Sequence, residues 1–257
     1  MEEQITHITT TIGKIATYLR EGSSGKLPVI LLHGVYFDHH LWDEQLNAIK
    51  DRTVITIDMP LHGKSGENIK QNWTLHDCAE MLIDILDSLK IDKVIAVGHS
   101  WGSMTILRAA HSHPHRFAAI GLCNMPFHAA SKKQRLTFQL QHSMLVFRSF
   151  YTKQAAKALF GKSSFKNDGS LIHQLARPMN VLSNKEIKQI DTAVIINAND
   201  ATHLINSLKV KAIALKGNED YVPTPPTIQT IFVEGGHVSP IEQPERVLEL
   251  ITKITSD

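Results

Sequence analysis

The protein has 257 residues, of which 42% are hydrophobic and 20% charged, so the chain is long enough to bury a sizeable core. Its 27 Lys and Arg residues nearly balance 25 Asp and Glu residues. The resulting net charge of +2 argues against a nucleic-acid-binding protein, which normally carries a strongly basic domain.

Cysteine content and the N-terminal sequence bear on the compartment. Two cysteines, Cys78 and Cys123, are too few for a disulfide framework and fit a reducing environment. The N-terminus is acidic and polar, unlike a signal peptide, and no apolar run approaches the ~20 residues of a membrane-spanning helix. We therefore expect a globular cytoplasmic protein.

Short apolar runs in the first half of the chain predict strands. Residues 4–20 indicate two antiparallel strands joined near Gly13. Continuous apolar runs, typical of strands buried on both faces, follow at 29–32, 54–57, 94–97 and 118–122. Between them, apolar residues at spacings of three and four predict a helix over 75–86, and a second helix is expected from Trp101. This alternation predicts an α/β fold with a mostly parallel sheet and right-handed crossovers.

The second half of the chain first departs from this alternation of strands and helices and then returns to it. Strands are predicted at 212–215 and 230–233, and a final amphipathic helix around 247–251. Residues 128–208 instead indicate helices and loops without a buried strand. An insertion of this length before the last two strands is typical of a lid. We expect an α/β core formed by 1–127 and 209–257, with a helical cap formed by 128–208.

A Gly-x-Ser-x-Gly pattern lies between a predicted strand and a predicted helix, in Gly98-His99-Ser100-Trp101-Gly102. This context is that of a nucleophile elbow, a tight turn that presents a serine hydroxyl. At the N-terminus of a helix, backbone N–H groups favour developing negative charge. The alternative, a glycine-rich turn that only ends a strand, does not account for the helix that follows.

A nucleophilic serine needs a base and an acid that orients the base. His237 follows the last predicted strand, and Asp220 follows the strand before it. In a parallel sheet, residues after the strands meet at the carboxyl edge, so both side chains are expected near Ser100. Glu219, one residue before Asp220, is the weaker candidate for the acid.

Five stretches in order resemble the α/β-hydrolase superfamily, specifically its small cap-bearing serine hydrolases. The matching stretches are residues 31–34 with Trp42 behind them, 58–65, the Ser100 turn, 217–223 and 235–237. The resemblance implies that Ser100 is the nucleophile, Asp220 the acid and His237 the base. It also implies an oxyanion hole formed by the backbone N–H groups of Val35 and Trp101. The expected reaction is cleavage of a carboxylic ester through an acyl-enzyme, without metal or cofactor.

Three positions depart from the family pattern. Leu61 and Ser103 stand where glycine is usual, and Asn124 stands where some relatives carry the acid. Ser100 disfavours epoxide hydrolases and dehalogenases, whose nucleophile is an aspartate. Lactonase, thioesterase, carbon–carbon bond hydrolase and peptidase activities remain alternatives on this fold. A slow-turnover small-molecule receptor is the alternative from another class.

The insertion is rich in aromatic residues. Six of the nine phenylalanines fall between residues 127 and 165, and apolar residues from Leu136 to Tyr151 recur at helical spacing. Part of this apolar face is expected to pack the insertion onto the sheet. The substrate pocket is expected to be lined by Tyr36, Phe127, Phe138, Met144 and Phe147.

Charge is distributed unevenly along the chain. Residues 128–166 contain eight Lys and Arg residues and no Asp or Glu. A basic amphipathic segment can contact an anionic substrate or an anionic membrane surface, and a solvated helix face is the simpler alternative. We hypothesise that the insertion recruits anionic amphiphiles. The expected partner is a small ester, not a nucleic acid.

Overall fold

The computed structural model describes residues 4–22, 25–66 and 69–256. Within these ranges one eight-stranded sheet is formed by β1 Gln4–Thr9, β2 Lys14–Arg20, β3 Val29–Leu32, β4 Val54–Ile57, β5 Val94–His99, β6 Phe117–Cys123, β7 Lys211–Gly217 and β8 Gln229–Val233. The spatial order is β1-β2-β4-β3-β5-β6-β7-β8. β2 pairs antiparallel with β1 and β4, and all other neighbours are parallel. The predicted mostly parallel α/β sheet is confirmed.

Helices connect the strands and cover the sheet. They are α1 Asp43–Ala48, α2 Leu75–Ser88, α3 Trp101–Ser112, α4 Lys132–Ser143, α5 Arg148–Leu159, α6 Lys162–Asn167, α7 Leu171–Met179, α8 Asn184–Asp191, α9 Thr202–Asn206, α10 Ser239–Glu242 and α11 Pro244–Thr255. α3 contacts β5 and β6, and α11 packs against β6 and β7. In the described ranges, none of the helices has both the length and the apolar character needed to cross a membrane.

The centre of the sheet forms the core. Every residue of β3, β4 and β5 is buried, as the continuous apolar runs predicted. Burial of each Leu, Ile or Val side chain in such a position stabilises the fold by about 1.5–3 kcal/mol. These central strands therefore hold the loops at their carboxyl ends in fixed positions.

The chain between β6 and β7, called the insertion below, is formed by α4 to α9 and contains no strand. Its first helix, α4, buries no residue. A capping box defines its start, because the Ser131 hydroxyl accepts a hydrogen bond from the Gln134 N–H and the Gln134 side chain accepts one from the Ser131 N–H.

The expectation of a single apolar helical face from residue 136 to residue 151 is wrong. α4 ends at Ser143, a 3₁₀ turn follows at Met144–Val146, and α5 starts at Arg148. The apolar residues therefore lie on two separate helices and the turn between them. Leu136, Leu140 and Phe147 are exposed, while Tyr151 is buried.

Candidate active site

Ser100 lies in a strained turn between β5 and α3. Its φ of 50° is positive, a conformation that residues other than glycine seldom adopt. Close packing around the turn requires Gly102, because a Cβ there would lie 2.1 Å from the carbonyl oxygen of Leu32 in β3. The Ser100 N–H donates to the carbonyl oxygen of Cys123 at 2.9 Å, which ties the turn to β6.

Ser103, which replaces a glycine of the family pattern, supports the same turn. Its hydroxyl oxygen lies 2.6 Å from the carbonyl oxygen of Gly98 and 3.1 Å from that of Cys123. The side chain is fully buried, so the hydroxyl bridges β5 and β6 beneath Ser100. This departure adds a contact and leaves the turn intact.

His237 connects Ser100 to Asp220. Its Nε2 lies 2.9 Å from the Ser100 hydroxyl oxygen, and its Nδ1 lies 2.9 Å from Oδ1 of Asp220. All three residues are buried, and the exposed ring of Tyr221 stacks on the imidazole at a centroid distance of 4.8 Å. The arrangement suits an Nδ1–H that donates to the carboxylate, which leaves Nε2 free to accept the serine proton.

The Asp220 carboxylate is held in its ionised form. Burial acts to raise the pKa of Asp220, but the charge and hydrogen bond of His237 and a hydrogen bond from Asn124 outweigh it and hold the pKa below its usual value. The Asn124 side-chain nitrogen donates to Oδ2 at 2.8 Å and to the carbonyl oxygen of Gly236 at 3.2 Å. Asn124 is fully buried, and its contribution was not evident from the sequence, which showed only a departure at this position.

Glu219 points away from this group. Its carboxylate accepts hydrogen bonds from the N–H groups of Lys162 and Ser163 in α6, and it also contacts the Ser163 hydroxyl. Asp220, and not Glu219, is therefore the carboxylate that contacts His237.

The loop after β3 passes close to Ser100. A Cβ on Gly34 would lie 3.1 Å from the Ser100 Cβ, so the backbone approaches the serine as closely as glycine allows. His33 Nδ1 lies 2.7 Å from the Gly34 carbonyl oxygen, and its Nε2 accepts the Met59 N–H at 2.8 Å. Because the C=O and N–H of a trans peptide point in opposite directions, holding the Gly34 carbonyl also fixes the direction of the Val35 N–H.

Two buried histidines support this loop in their neutral form. Burial, reinforced by the neighbouring His62, lowers the pKa of His33 to about 3. Burial likewise lowers the pKa of His62 to about 4. The neutral His62 ring accepts the N–H of Tyr36 at 3.0 Å and lies 3.0 Å from the carbonyl oxygen of Pro60. The second predicted donor, Trp101, is the first residue of α3, where the helix provides no acceptor for its N–H.

Another polar cluster joins the insertion to this loop. The Tyr36 hydroxyl donates to Oδ1 of Asp191 at 2.5 Å and lies 3.2 Å from the Tyr151 hydroxyl. His142 Nε2 lies 2.9 Å from Oδ2 of the same carboxylate. Asp191 is fully buried. Through these contacts it links α4, α5 and its own helix α8 to Tyr36, the residue that follows Val35. Nothing in the spacing of these residues along the chain predicted the cluster.

A cavity of about 890 Å³ opens above Ser100. Its walls include Ser100, Val35 and four of the five residues predicted to line a substrate pocket, namely Tyr36, Phe127, Phe138 and Met144. The prediction for Phe147 is wrong: the side chain is 69% exposed and does not line the cavity, because the 3₁₀ turn at Met144–Val146 displaces it. Over the described ranges, no group of three or more His, Cys, Asp or Glu side chains is arranged to hold a metal ion.

Sequence comparisons with known proteins find similarity over about half of the chain. A family model described as "alpha/beta hydrolase fold" matches residues 28–168. The chain is 31% identical over 118 residues to a 3-oxoadipate enol-lactonase 1 of Acinetobacter baylyi, covering 46% of this chain and 44% of that protein. It is 30% identical over 136 residues to an epoxide hydrolase 4 of Mus musculus, covering 52% and 37%. Each match therefore spans less than half of the relative's length.

A solved structure matches nearly the whole chain. The malate-bound structure of a thermophilic esterase from Thermogutta terrifontis superposes with a TM-score of 0.82 at 24% identity, and the match covers 98% of this chain and 99% of that one. At this level of identity the likeness establishes the fold.

Proposed function

The chain belongs to the α/β-hydrolase-fold family, and on that premise we propose that it is a serine hydrolase that cleaves a carboxylic ester. The observation that carries the proposal is the pair of 2.9 Å contacts that run from the Ser100 hydroxyl through His237 to Asp220. Such a chain activates a serine that is otherwise a weak nucleophile. The serine also argues against the aspartate-dependent chemistry of epoxide hydrolases.

Acylation begins when the Ser100 oxygen attacks the ester carbonyl carbon. His237 Nε2 takes the hydroxyl proton as the new C–O bond forms, and the carbonyl oxygen becomes negatively charged. The Val35 and Trp101 N–H groups donate to this oxygen, and each donor lowers the barrier by about 3 kcal/mol. When the intermediate collapses, the C–O bond to the alcohol breaks and the alcohol leaves with the proton from His237.

Deacylation repeats these steps with water. His237 Nε2 accepts a proton from the water as it attacks the acyl carbon, and the same N–H groups stabilise the second intermediate. Its collapse releases the carboxylic acid, and Ser100 recovers its proton from His237. Asp220 stays ionised throughout and stabilises the imidazolium.

The insertion serves as a cap over the acyl pocket. Support comes from the cavity walls, because Phe127, Phe138 and Met144 contribute apolar surface to the space above Ser100. A small to medium, largely apolar acyl group fits a cavity with this lining.

Hydrolysis of p-nitrophenyl esters from acetyl to dodecanoyl tests this function. We expect turnover that Ser100→Ala abolishes, with a chain-length optimum set by the cavity. Ser112→Ala, at the other end of α3, is the matched control and should retain full activity. Equal turnover by the wild type and Ser100→Ala would refute the proposal. Binding of esters by folded wild-type protein without turnover would favour the receptor alternative.

A further inference from the structure

One wall of the cavity is polar. The α4 helix contributes Lys133, Gln134, Thr137 and Gln141, whose spacing of one, three and four residues places them on one helix face. Gln154 of α5 adds a further amide. A purely apolar acyl chain has no use for these groups, since they would lose hydration on contact without gaining a partner.

Lys133 carries the charge of this wall. Among the described residues that line the cavity, it is the single Lys, Arg, Asp or Glu. Its ammonium group forms no hydrogen bond or ion pair with any residue that the structure describes. Two carboxylates that contact residues of the cavity wall are already engaged, because Asp191 contacts Tyr36 and His142, and Asp200 contacts His128. The cavity therefore presents one positive charge without a protein counter-ion.

We propose that the substrate's acyl chain carries a carboxylate remote from the reacting carbonyl and that Lys133 binds this carboxylate. The inference rests on the proposed ester hydrolysis at Ser100 and specifies its substrate class. The amides of Gln134 and Gln141 supply further donors beside the ammonium group. The segment that carries Lys133 is itself basic, because residues 128–166 contain eight Lys and Arg residues and no Asp or Glu.

Mono-p-nitrophenyl esters of adipic, suberic and sebacic acid provide the test, each compared with its methyl-capped neutral analogue. We expect the free carboxylate to raise kcat/KM about three- to tenfold over the capped ester for one chain length, as suits a partly solvated ion pair. The acyl chain length that shows the largest preference indicates the distance from Ser100 to the Lys133 ammonium group. The preference should fall as salt is added, since screening weakens such a pair.

Two variants locate the effect. Lys133→Gln should abolish the preference for the free carboxylate, so that the ratio of kcat/KM for the free ester to kcat/KM for the capped ester falls to about one. Lys132→Gln removes the same charge from the adjacent residue, which does not line the cavity, and should keep the preference. Equal loss in both variants, or no preference in the wild type, would overturn the role of Lys133. Ser100-dependent turnover of the capped esters would still support the proposed function in that case.

Discussion

The backbone N–H of His237 donates a 2.6 Å hydrogen bond to the carbonyl oxygen of Leu159, the last residue of α5. The loop that carries the imidazole is therefore attached to the insertion as well as to the sheet. Glu242 reinforces the junction, because Oε2 of its carboxylate accepts the N–H groups of Gly236 and Gly161, both at 2.8 Å. Displacement of the insertion at this point would move His237 relative to Ser100.

The first prediction concerns Glu242. In Glu242→Gln, an amide NH₂ would face backbone N–H donors, and at least one donor would lose its acceptor at a cost of about 1–3 kcal/mol. Because the loop would no longer hold His237 in position, we expect kcat to fall about tenfold or more while KM changes little. Steady-state kinetics measure this, with the exposed Glu245→Gln on α11 as the control. Similar kinetics for the two variants would contradict a positioning role.

The second prediction separates the two neighbouring carboxylates. Asp220→Asn should lower kcat by about 10⁴, because an amide cannot stabilise the imidazolium and favours the wrong tautomer of His237. Glu219→Gln should leave kcat nearly unchanged, since its carboxylate contacts α6 and not the imidazole. Comparison of kcat on one p-nitrophenyl ester decides between them. A larger loss in Glu219→Gln would reverse the assignment.

The third prediction concerns the hydrogen bond from Asn124 to Asp220. Asn124→Ala should raise the pKa of Asp220, because a donor to its charged form is lost. The Asp220 pKa is lowered in the folded state, so this stabilisation is complete above the unfolded pKa of about 3.9 and disappears as pH falls through the folded value. We expect Asn124→Ala to be less stable at neutral pH by about 1.5–3 kcal/mol, with a smaller gap near pH 3.

Urea unfolding of the wild type and Asn124→Ala between pH 3 and pH 7 measures that gap. Asn124→Asp is the informative companion, because it places a second carboxylate against Asp220 and should destabilise the protein further at neutral pH. A stability difference that does not change with pH would show that Asn124 acts only through packing.

Long, regular patterns made most of the fold predictable. The strands of the sheet and helices α2, α3 and α11 follow from apolar runs and helical spacing that tertiary contacts did not override. The relative positions of Ser100, Asp220 and His237 were predictable because parallel strands bring their following residues to one edge. Each of these features follows from the order in which residues and predicted elements occur along the chain.

Contacts between segments distant in sequence were not predictable. Asn124 reaches Asp220, and Asp191 reaches Tyr36, across 96 and 155 residues. The misplacement of Phe147 has a local cause, because the apolar spacing continues through the 3₁₀ turn at Met144–Val146 and gives no sign of it. Hydrophobic periodicity does not reveal a break in a helix when the apolar residues keep their helical spacing across the break.

The fourth prediction concerns buried histidines. The pKa of His99 is lowered to about 3 by burial and by the neighbouring His237, as burial lowers those of His33 and His62 to about 3 and 4. An unfolded histidine titrates near pH 6.5, so the unfolded state binds more protons than the folded state between about pH 4 and pH 6.5. The free energy of unfolding should therefore fall as pH drops through this window.

Urea unfolding at intervals from pH 7 to pH 4.5 measures the slope. His62→Gln should take up about one proton fewer on unfolding than the wild type. The slope of its unfolding free energy against pH should therefore be smaller by about 1.4 kcal/mol per pH unit at its steepest. Parallel curves for the wild type and the variant would mean that His62 is protonated in the folded protein over this range.

Covalent capture of the acyl group tests the central claim most directly. Wild-type protein mixed with a p-nitrophenyl ester and quenched in acid within milliseconds should gain the mass of one acyl group, and peptide mapping should place it on Ser100. Ser100→Ala, treated identically, should gain no mass. An acyl group on a residue other than Ser100 would contradict the account. So would a wild-type protein that turns over the ester without any adduct, if Ser100→Ala turns it over equally well.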